Sequence, residues 1–306
     1  MEAVLSVREL SKRIGNHLAL SAATLSAGEG SVHAILGANG SGKTTLLRVL
    51  AGLYRPDAGE IAWRGARIAP WDQPEWRAAM ALVDPVISLP TRFRLSDWAR
   101  FAARTYPRFD AHRFHGLVRS LELPTEERIR RLSLGMRMQA KLALALAMRP
   151  RLLLLDEPTT GLDPVVQRQI WQWLLSEAAD AGSTILLATH DLDAMERLAD
   201  SATVMFKGRS VWSGQLEDAK ERFVKISVRP EGKQALDAEG WALTWERDGG
   251  DRWSAMVERN GLPDLMAKLR EAGAEPAVVQ ERLPLEEWFR WLMRKEGYAR
   301  DMDGTA

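Results

Sequence analysis

Residues 37–44 read GANGSGKT, directly after the apolar run VHAIL and directly before TLLRVL. A G-x-x-x-x-G-K-[ST] pattern at that junction leaves little choice of fold, because it needs a buried strand behind it and a helix in front. Gly37, Gly40 and Gly42 let the backbone curl until several N–H groups converge on one anion. The helix that starts there adds partial positive charge. Lys43 can neutralise β- and γ-phosphate oxygens, and the Thr44 hydroxyl can ligate Mg²⁺. Asn39, Ser41 and Thr45 belong to the same loop and first turn, and are expected to touch the phosphates with them.

A second half of such a site lies far along the chain. RLLLLDEP (151–158) is a short continuous apolar run ended by charge and Pro, the pattern of a central parallel strand. A carboxylate at the end of that strand, Asp156, can hold Mg²⁺ beside the phosphate loop. Glu157 would then point to where an attacking water stands, as a general base. Around these motifs, 1–40 read as strands and turns, 57–85 as strand-like, and 86–150 as helical. Within that helical segment SDWARFAARTY and TEERIRRL carry Ser and Thr cap candidates. From 151 to about 219 strands and helices alternate, which predicts a parallel α/β sheet. Beyond 220 the texture changes. FVKISVRP, WALTWERDGGDRWSAMVE (a hairpin around Asp248–Asp251) and AEPAVVQ predict strands, and LPDLMAKLREAG and LPLEEWFRWLMRKEG predict amphipathic helices. Five of the twelve Trp lie in that tail, enough for a small core of its own. The expected domains are therefore 1–219 and 220–306.

Composition narrows the partners. A net charge of +1 with no block of like charge gives no reason to expect nucleic acid or an anionic membrane surface. The absence of Cys removes disulfides and thiolate metal sites and suits a reducing compartment. The five His have no close ligand spacing, so no structural metal is expected. MEAVLSVREL lacks the basic start and apolar core of a signal peptide. The longest apolar stretch, LALALAMRPRLLLL, is broken by Arg149, Pro150 and Arg151, short of the roughly 20 residues a membrane span requires. No membrane insertion of its own is expected.

RLSLGM (131–136) raises a separate question. Ser133 is a good N-cap and Gly135 keeps the first-turn amides bare, so a second anion-binding helix start is expected. Taken together and in order, GANGSGKT, LSLGM, LLLLDEP, TGLD (160–163) and ATH (ending in His190) resemble the motif set of the ATP-binding cassette (ABC) family, specifically its single-cassette bacterial exporter-like transporter ATPases. The resemblance covers about residues 3–218. It implies a P-loop NTPase fold with a parallel-sheet core, an antiparallel β subdomain and a helical subdomain at about 86–150, followed here by a small accessory α+β domain. It implies ATP and Mg²⁺ as ligands, and a head-to-tail dimer in which Ser133 and Gly135 touch the nucleotide held by the partner's phosphate loop. Asp163 would line the dimer seam, and His190 would contact the γ-phosphate or the attacking water. It further implies a separate transmembrane permease docking around Pro85–Tyr106, a second cassette (identical or not), and a cytoplasmic place on the inner face of the membrane. Soluble cassette ATPases of DNA repair or translation carry two cassettes or a long coiled-coil insertion, and this sequence has neither.

Three positions depart from the pattern. Where the family carries Gln after the strand that follows the phosphate-loop helix, this chain reads Asp84-Pro85; Pro85 is the nearest counterpart and cannot ligate, leaving Asp84 as the local substitute Mg²⁺ ligand or the pair as a plain turn. The aromatic residue that stacks on adenine is Ile14, with His17 nearby, which predicts weak or poorly base-selective nucleotide binding. These two losses are the grounds for an alternative, an ATP-gated and weakly or non-hydrolysing cassette. Met136 stands where Gln is commoner, a change the helix start tolerates. The tail shows no chemistry of its own and is expected to be a packing domain, the alternative being that it stabilises or regulates a dimer.

Overall fold

The computed structural model describes residues 3–229, 245–248, 252–271, 275–280 and 284–297. It divides into two compact units, one running to Asp191 and including Leu198–Ser213, the other made of Leu192–Arg197 and the chain from Gly214 on.

In the first unit, β1 (Ala3–Ile14), β2 (His17–Gly28), β4 (Ala58–Trp63) and β5 (Ala66–Ile68) form a sheet in the order β2-β1-β4-β5, with antiparallel pairing. The larger sheet orders β10 (Arg209–Gln215), β9 (Ser201–Phe206), β3 (Val32–Leu36), β8 (Thr184–Ala188), β7 (Leu152–Asp156) and β6 (Met80–Val83). From β9 to β6 every pairing is parallel. β3, β7 and β8 are buried at every position, so they need continuous apolar sequence rather than alternation. Helix α1 (Lys43–Leu50) sits between the two sheets. Its Leu46, Leu47 and Leu50 join one core with Leu5, Leu10 and Leu25 of the small sheet and Leu154 and Leu186 of the large one. The turns after β3, β6, β7 and β8 thus gather at the carboxyl ends of parallel strands, where open α/β sheets bind their ligands.

Between β6 and β7 lie α3 (Leu95–Thr105), α4 (Ala111–Ser120) and α5 (Leu134–Ala147); a short α2 (Pro74–Ala78) precedes β6. The helix expected over TEERIRRL does not form: only Ile129–Arg131 make a 3₁₀ turn. That segment instead donates Ile129 N–H to Phe93 O (3.0 Å) and Arg130 N–H to Thr91 O (3.1 Å), so pairing with 91–94 overrides local propensity. Ser96 lies inside the first turn of α3, and the Asp97 carboxylate accepts from Arg94 N–H (3.0 Å) in the capping role. Helix α6 (Pro164–Ala179) links β7 to β8, and α7 (Leu192–Leu198) follows β8.

His33, in the middle of β3, is fully buried. Its Nδ1 lies 2.8 Å from Ser201 Oγ and its Nε2 2.9 Å from Thr203 Oγ1, a pair of partners that satisfies a neutral ring. Burial lowers its pKa from 6.5 to about 4. The unfolded chain therefore takes up a proton near pH 6.5 that the folded chain refuses until about pH 4. Stability contributed by the neutral ring is complete above pH 6.5 and falls as the pH drops through that window, by about 3 kcal/mol in all. Denaturant unfolding between pH 7 and pH 4 should show this loss in the wild type and a shallower acid limb in His33→Gln. An equally steep limb in the variant would remove His33 as its cause.

The second unit carries α8 (Leu216–Arg222), β11 (Phe223–Val228), β12 (Trp245–Asp248), β13 (Arg252–Glu258), α9 (Leu262–Glu271), β14 (Ala277–Gln280) and α10 (Leu285–Lys295). Its antiparallel sheet has the order β12-β13-β11-β14. Val224, Ile226 and Val228 pack with Leu265 and Leu269 of α9. The alternate face of β11 meets α10, with Phe223 and Trp291 ring centroids 4.4 Å apart. The register Asp248↔Arg252 fits the expected hairpin, whose turn lies outside the described residues. The boundary falls at Ser213/Gly214 rather than 219/220, because α8 buries Leu216 and Ala219 and packs on β11 and α10.

Candidate nucleotide site

The loop between β3 and α1 is shaped by its glycines. A Cβ on Gly42 (φ 107°) would stand 2.8 Å from Ala19 O, and one on Gly37 (φ 151°) would run into Met205 O and lie 2.6 Å from Ser41 Oγ. The Ser41 hydroxyl is buried without a hydrogen-bond partner. Lys43 Nζ donates to Gly37 O (2.7 Å) and Ala38 O (3.2 Å), so the ammonium lies within the curl of the loop. Burial pulls its pKa down, against the upward pull of Glu157 and Asp156. Thr44 Oγ1 donates to Asp156 Oδ2 at 2.6 Å, uniting the two halves expected from sequence. Burial pushes the Asp156 carboxyl up, and the neighbouring Asp84 and Glu157 charges push it further. Hard oxygen donors side by side next to a phosphate loop suit Mg²⁺, which takes few protein ligands and completes its shell with water and phosphate.

A cavity of about 380 Å³ opens over this loop, in the range of small-molecule sites. It is bounded by Ile14, His17 and Ala19 on β1 and β2, by residues 39–45, and by Asp156 and Glu157. Ile14 is 44% exposed there, so the position where an aromatic platform was missed does border the cavity.

Glu157 follows β7 with φ 47°, a left-handed conformation costly for a side chain with a Cβ. Its N–H is fixed on Ala188 O (2.8 Å). Oε1 lies 2.9 Å from His190 Nδ1, and Oε2 accepts from Thr160 Oγ1 (3.2 Å) and Thr189 Oγ1 (3.3 Å). Sequence reading singled out Glu157 and His190 but not the two threonines. The adjacency of Thr189 to His190 was the available signal.

The buried Asp84 carboxylate, open on sequence between a metal ligand and a turn, accepts Arg48 Nε–H (2.8 Å) at Oδ2, and Val86 N–H (2.7 Å) and Ile87 N–H (3.2 Å) at Oδ1. Three of its roughly four acceptor positions are thereby used. Burial pushes its pKa up, but the guanidinium and the two amides outweigh that and hold it below the usual carboxylate range. Lys141 of α5 donates to Asp84 O (2.8 Å) and Pro85 O (3.3 Å).

Ser133, Gly135 and Asp163 lie outside the lining of this cavity. Ser133 caps α5, its Oγ accepting Met136 N–H at 3.1 Å. A Cβ on Gly135 would meet Leu162 Cδ2 at 3.2 Å, so this glycine also clears space for the 160–163 turn of its own chain. Asp163 caps α6 by accepting Val165 N–H (2.7 Å) and Val166 N–H (3.3 Å).

The sequence pattern of the ABC transporter family matches residues 20–160. ABC transporter ATP-binding protein YtrB of Bacillus subtilis is 32% identical over 226 residues, covering 74% of this chain and 76% of that protein. The chain belongs to the ABC transporter family, as an ATP-binding protein. Among its other relatives, the daunorubicin resistance ATP-binding protein DrrA3 of Streptomyces coeruleorubidus is 33% identical across 95% of this chain and 96% of its own, so that match takes in the second unit as well. A solved ATP-binding subunit of an ABC transporter is 31% identical with a TM-score of 0.65, over 71% of this chain and 92% of that one. The dimeric ATP-binding cassette MJ0796 with ADP and Pi shares the fold, with a TM-score of 0.61 at 23% identity over 69% and 98% of the two chains. No helix among the described residues is long and apolar enough to cross a membrane.

Proposed function

We propose that this ABC ATP-binding protein hydrolyses ATP to drive a separate membrane permease. The observation that carries the reading is the Thr44–Asp156 contact beneath the glycine loop, with Glu157 and His190 at its edge. Lys43 and the loop amides hold the phosphates. Thr44 and Asp156 would hold Mg²⁺, which when bound supplies charge neutralisation at the β- and γ-phosphate oxygens. Glu157 takes the proton of the attacking water. The water oxygen bonds to the γ-phosphorus, the bond from that phosphorus to the bridging oxygen breaks, and ADP leaves with the electron pair. His190, Thr160 and Thr189 orient the base.

Ser133 and Gly135 serve the nucleotide of a second cassette across a head-to-tail interface. Their separation from this chain's own cavity and the dimeric neighbour MJ0796 support that arrangement. The permease docks on the helical segment after Asp84, where Val86 (72%), Phe93 (56%) and Phe101 (51%) are exposed apolar side chains. Relatives named for Nod factor export and daunorubicin resistance favour an exporter. The test is MgATP binding and phosphate release by the purified chain, with and without the membrane protein that co-purifies with it. A chain that binds no MgATP overturns the reading.

Ile14 gives a further expected result. Restoring an aromatic ring, Ile14→Tyr, should add a base stack of about 1–3 kcal/mol and raise affinity for ATP and GTP alike, because every base has a π-face. Titration with both nucleotides checks this. Unchanged affinities would place the base elsewhere in the cavity.

A further inference from the structure

Parallel pairing of β6 with β7 in the register Val83↔Leu155 brings Asp84 alongside Asp156 at the next step, yet the Asp84 carboxylate is spent on protein donors. Those donors come from separate elements. Arg48 lies one helical turn beyond Thr44 on α1, so the tether holds the face of α1 that carries the Thr44 hydroxyl. Val86 and Ile87 begin the exposed apolar segment. Lys141 lies two turns into α5, the helix that Ser133 caps, and grips the same corner through two carbonyls. One buried residue thus joins the phosphate-loop helix, the helix of the second anion-binding start, and the segment between them.

We propose that Asp84 is a positioning residue, which through Arg48 and Lys141 fixes α1 and α5 relative to each other for turnover, and that it is not a metal ligand. This rests on the ATPase reading above. Asp84 stands next to Pro85, the nearest counterpart of the family Gln, and here an ion-paired corner occupies that place. One nucleotide is held by the glycine loop, Lys43, the Thr44–Asp156 pair and the cavity wall at Ile14 and His17; the corner hydrogen-bonds to none of these and reaches them through α1 and the Asp84 charge beside Asp156. Turnover requires α5 to present its N-terminus in a fixed place. Loss of the corner therefore reaches kcat and leaves nucleotide affinity in place.

The experiment uses the full chain and three variants: Asp84→Asn, Lys141→Met and the double variant. Asparagine keeps an oxygen for the Val86 and Ile87 amides but turns an N–H₂ group towards Arg48. Asp84→Asn and Lys141→Met should each lower kcat at least tenfold. The Kd for MgATP, read with a fluorescent ATP analogue, and the Mg²⁺ concentration for half-maximal turnover should stay within twofold. The double variant should be no worse than the worse single one, because both break one corner. A tenfold rise in the Mg²⁺ requirement of Asp84→Asn would assign it to the metal and overturn the proposal. So would unchanged kcat, or fully multiplicative losses in the double variant. Failure of the wild type to turn MgATP over would refute the ATPase reading and this proposal together, whereas active wild type with unaffected variants refutes this proposal alone.

Discussion

Glu157→Gln is expected to cut steady-state ATP turnover by about two to four orders of magnitude, the usual worth of a positioned general base. The glutamine keeps the shape of the side chain and can still accept from Thr160 and Thr189, so the strained backbone at φ 47° and the contacts that hold it need not change. Only the basic oxygen is lost. MgATP should bind with wild-type affinity, and because the bond to the γ-phosphate no longer breaks, the bound state should persist as a long-lived ATP-dependent dimer. Size-exclusion chromatography with MgATP reads that dimer, and phosphate release reads the turnover. Phosphate release at the wild-type rate would assign the base elsewhere. A turnover loss accompanied by lost binding would indicate damage to the loop instead.

Gly37→Ala should have the opposite signature. The added methyl would collide with the Met205 carbonyl and stand 2.6 Å from Ser41 Oγ, at a φ of 151° that residues with a Cβ rarely adopt. Neither obstacle is a flexible side-chain end: one is backbone of β9, the other a buried hydroxyl. The loop must open to relieve the clash, and Lys43, which donates to the Gly37 carbonyl, moves with it. Affinity for MgATP should fall at least tenfold, about 1.4 kcal/mol or more, with a lowered melting temperature in the absence of nucleotide. Gly40→Ala is the internal control, since a Cβ there meets nothing within 4 Å although its φ of 78° still carries a backbone cost. Its thermal shift should be the smaller of the two. Equal shifts would mean that backbone conformation, not the collision, sets the cost at Gly37.

Much of this architecture was legible because its signals are local. VHAIL, LLLLD and TILLA are continuous apolar runs, and only strands buried on both faces ask for that. The glycine loop announces itself through eight adjacent residues. What was illegible depended on pairing across the sequence. Asp84 beside Pro85 reads equally as a turn or a ligand, and its structural role is set by Arg48 and Lys141, which are 36 and 57 residues away. TEERIRRL has the composition of a helix, but its amides are claimed by the carbonyls of the turn at 91–94. Glu157 and His190, 33 residues apart, were linked in sequence only through a resemblance, and their contact at 2.9 Å follows from β7 and β8 being neighbours.

The seat of α1 between the two sheets has a mechanical consequence. A helix whose Leu46, Leu47 and Leu50 are wholly enclosed cannot yield by local repacking, because close-packed interiors transmit strain rather than absorb it. Force applied at its first turn is therefore handed on to the surrounding block. Helix α4 is fastened differently: beside its buried Phe114, Leu117 and Val118 it is tied by ions, the Arg149–Asp110 bridge at 2.7 Å and the Arg113–Glu177 pair. The stiff part of the molecule is the part that grips phosphate.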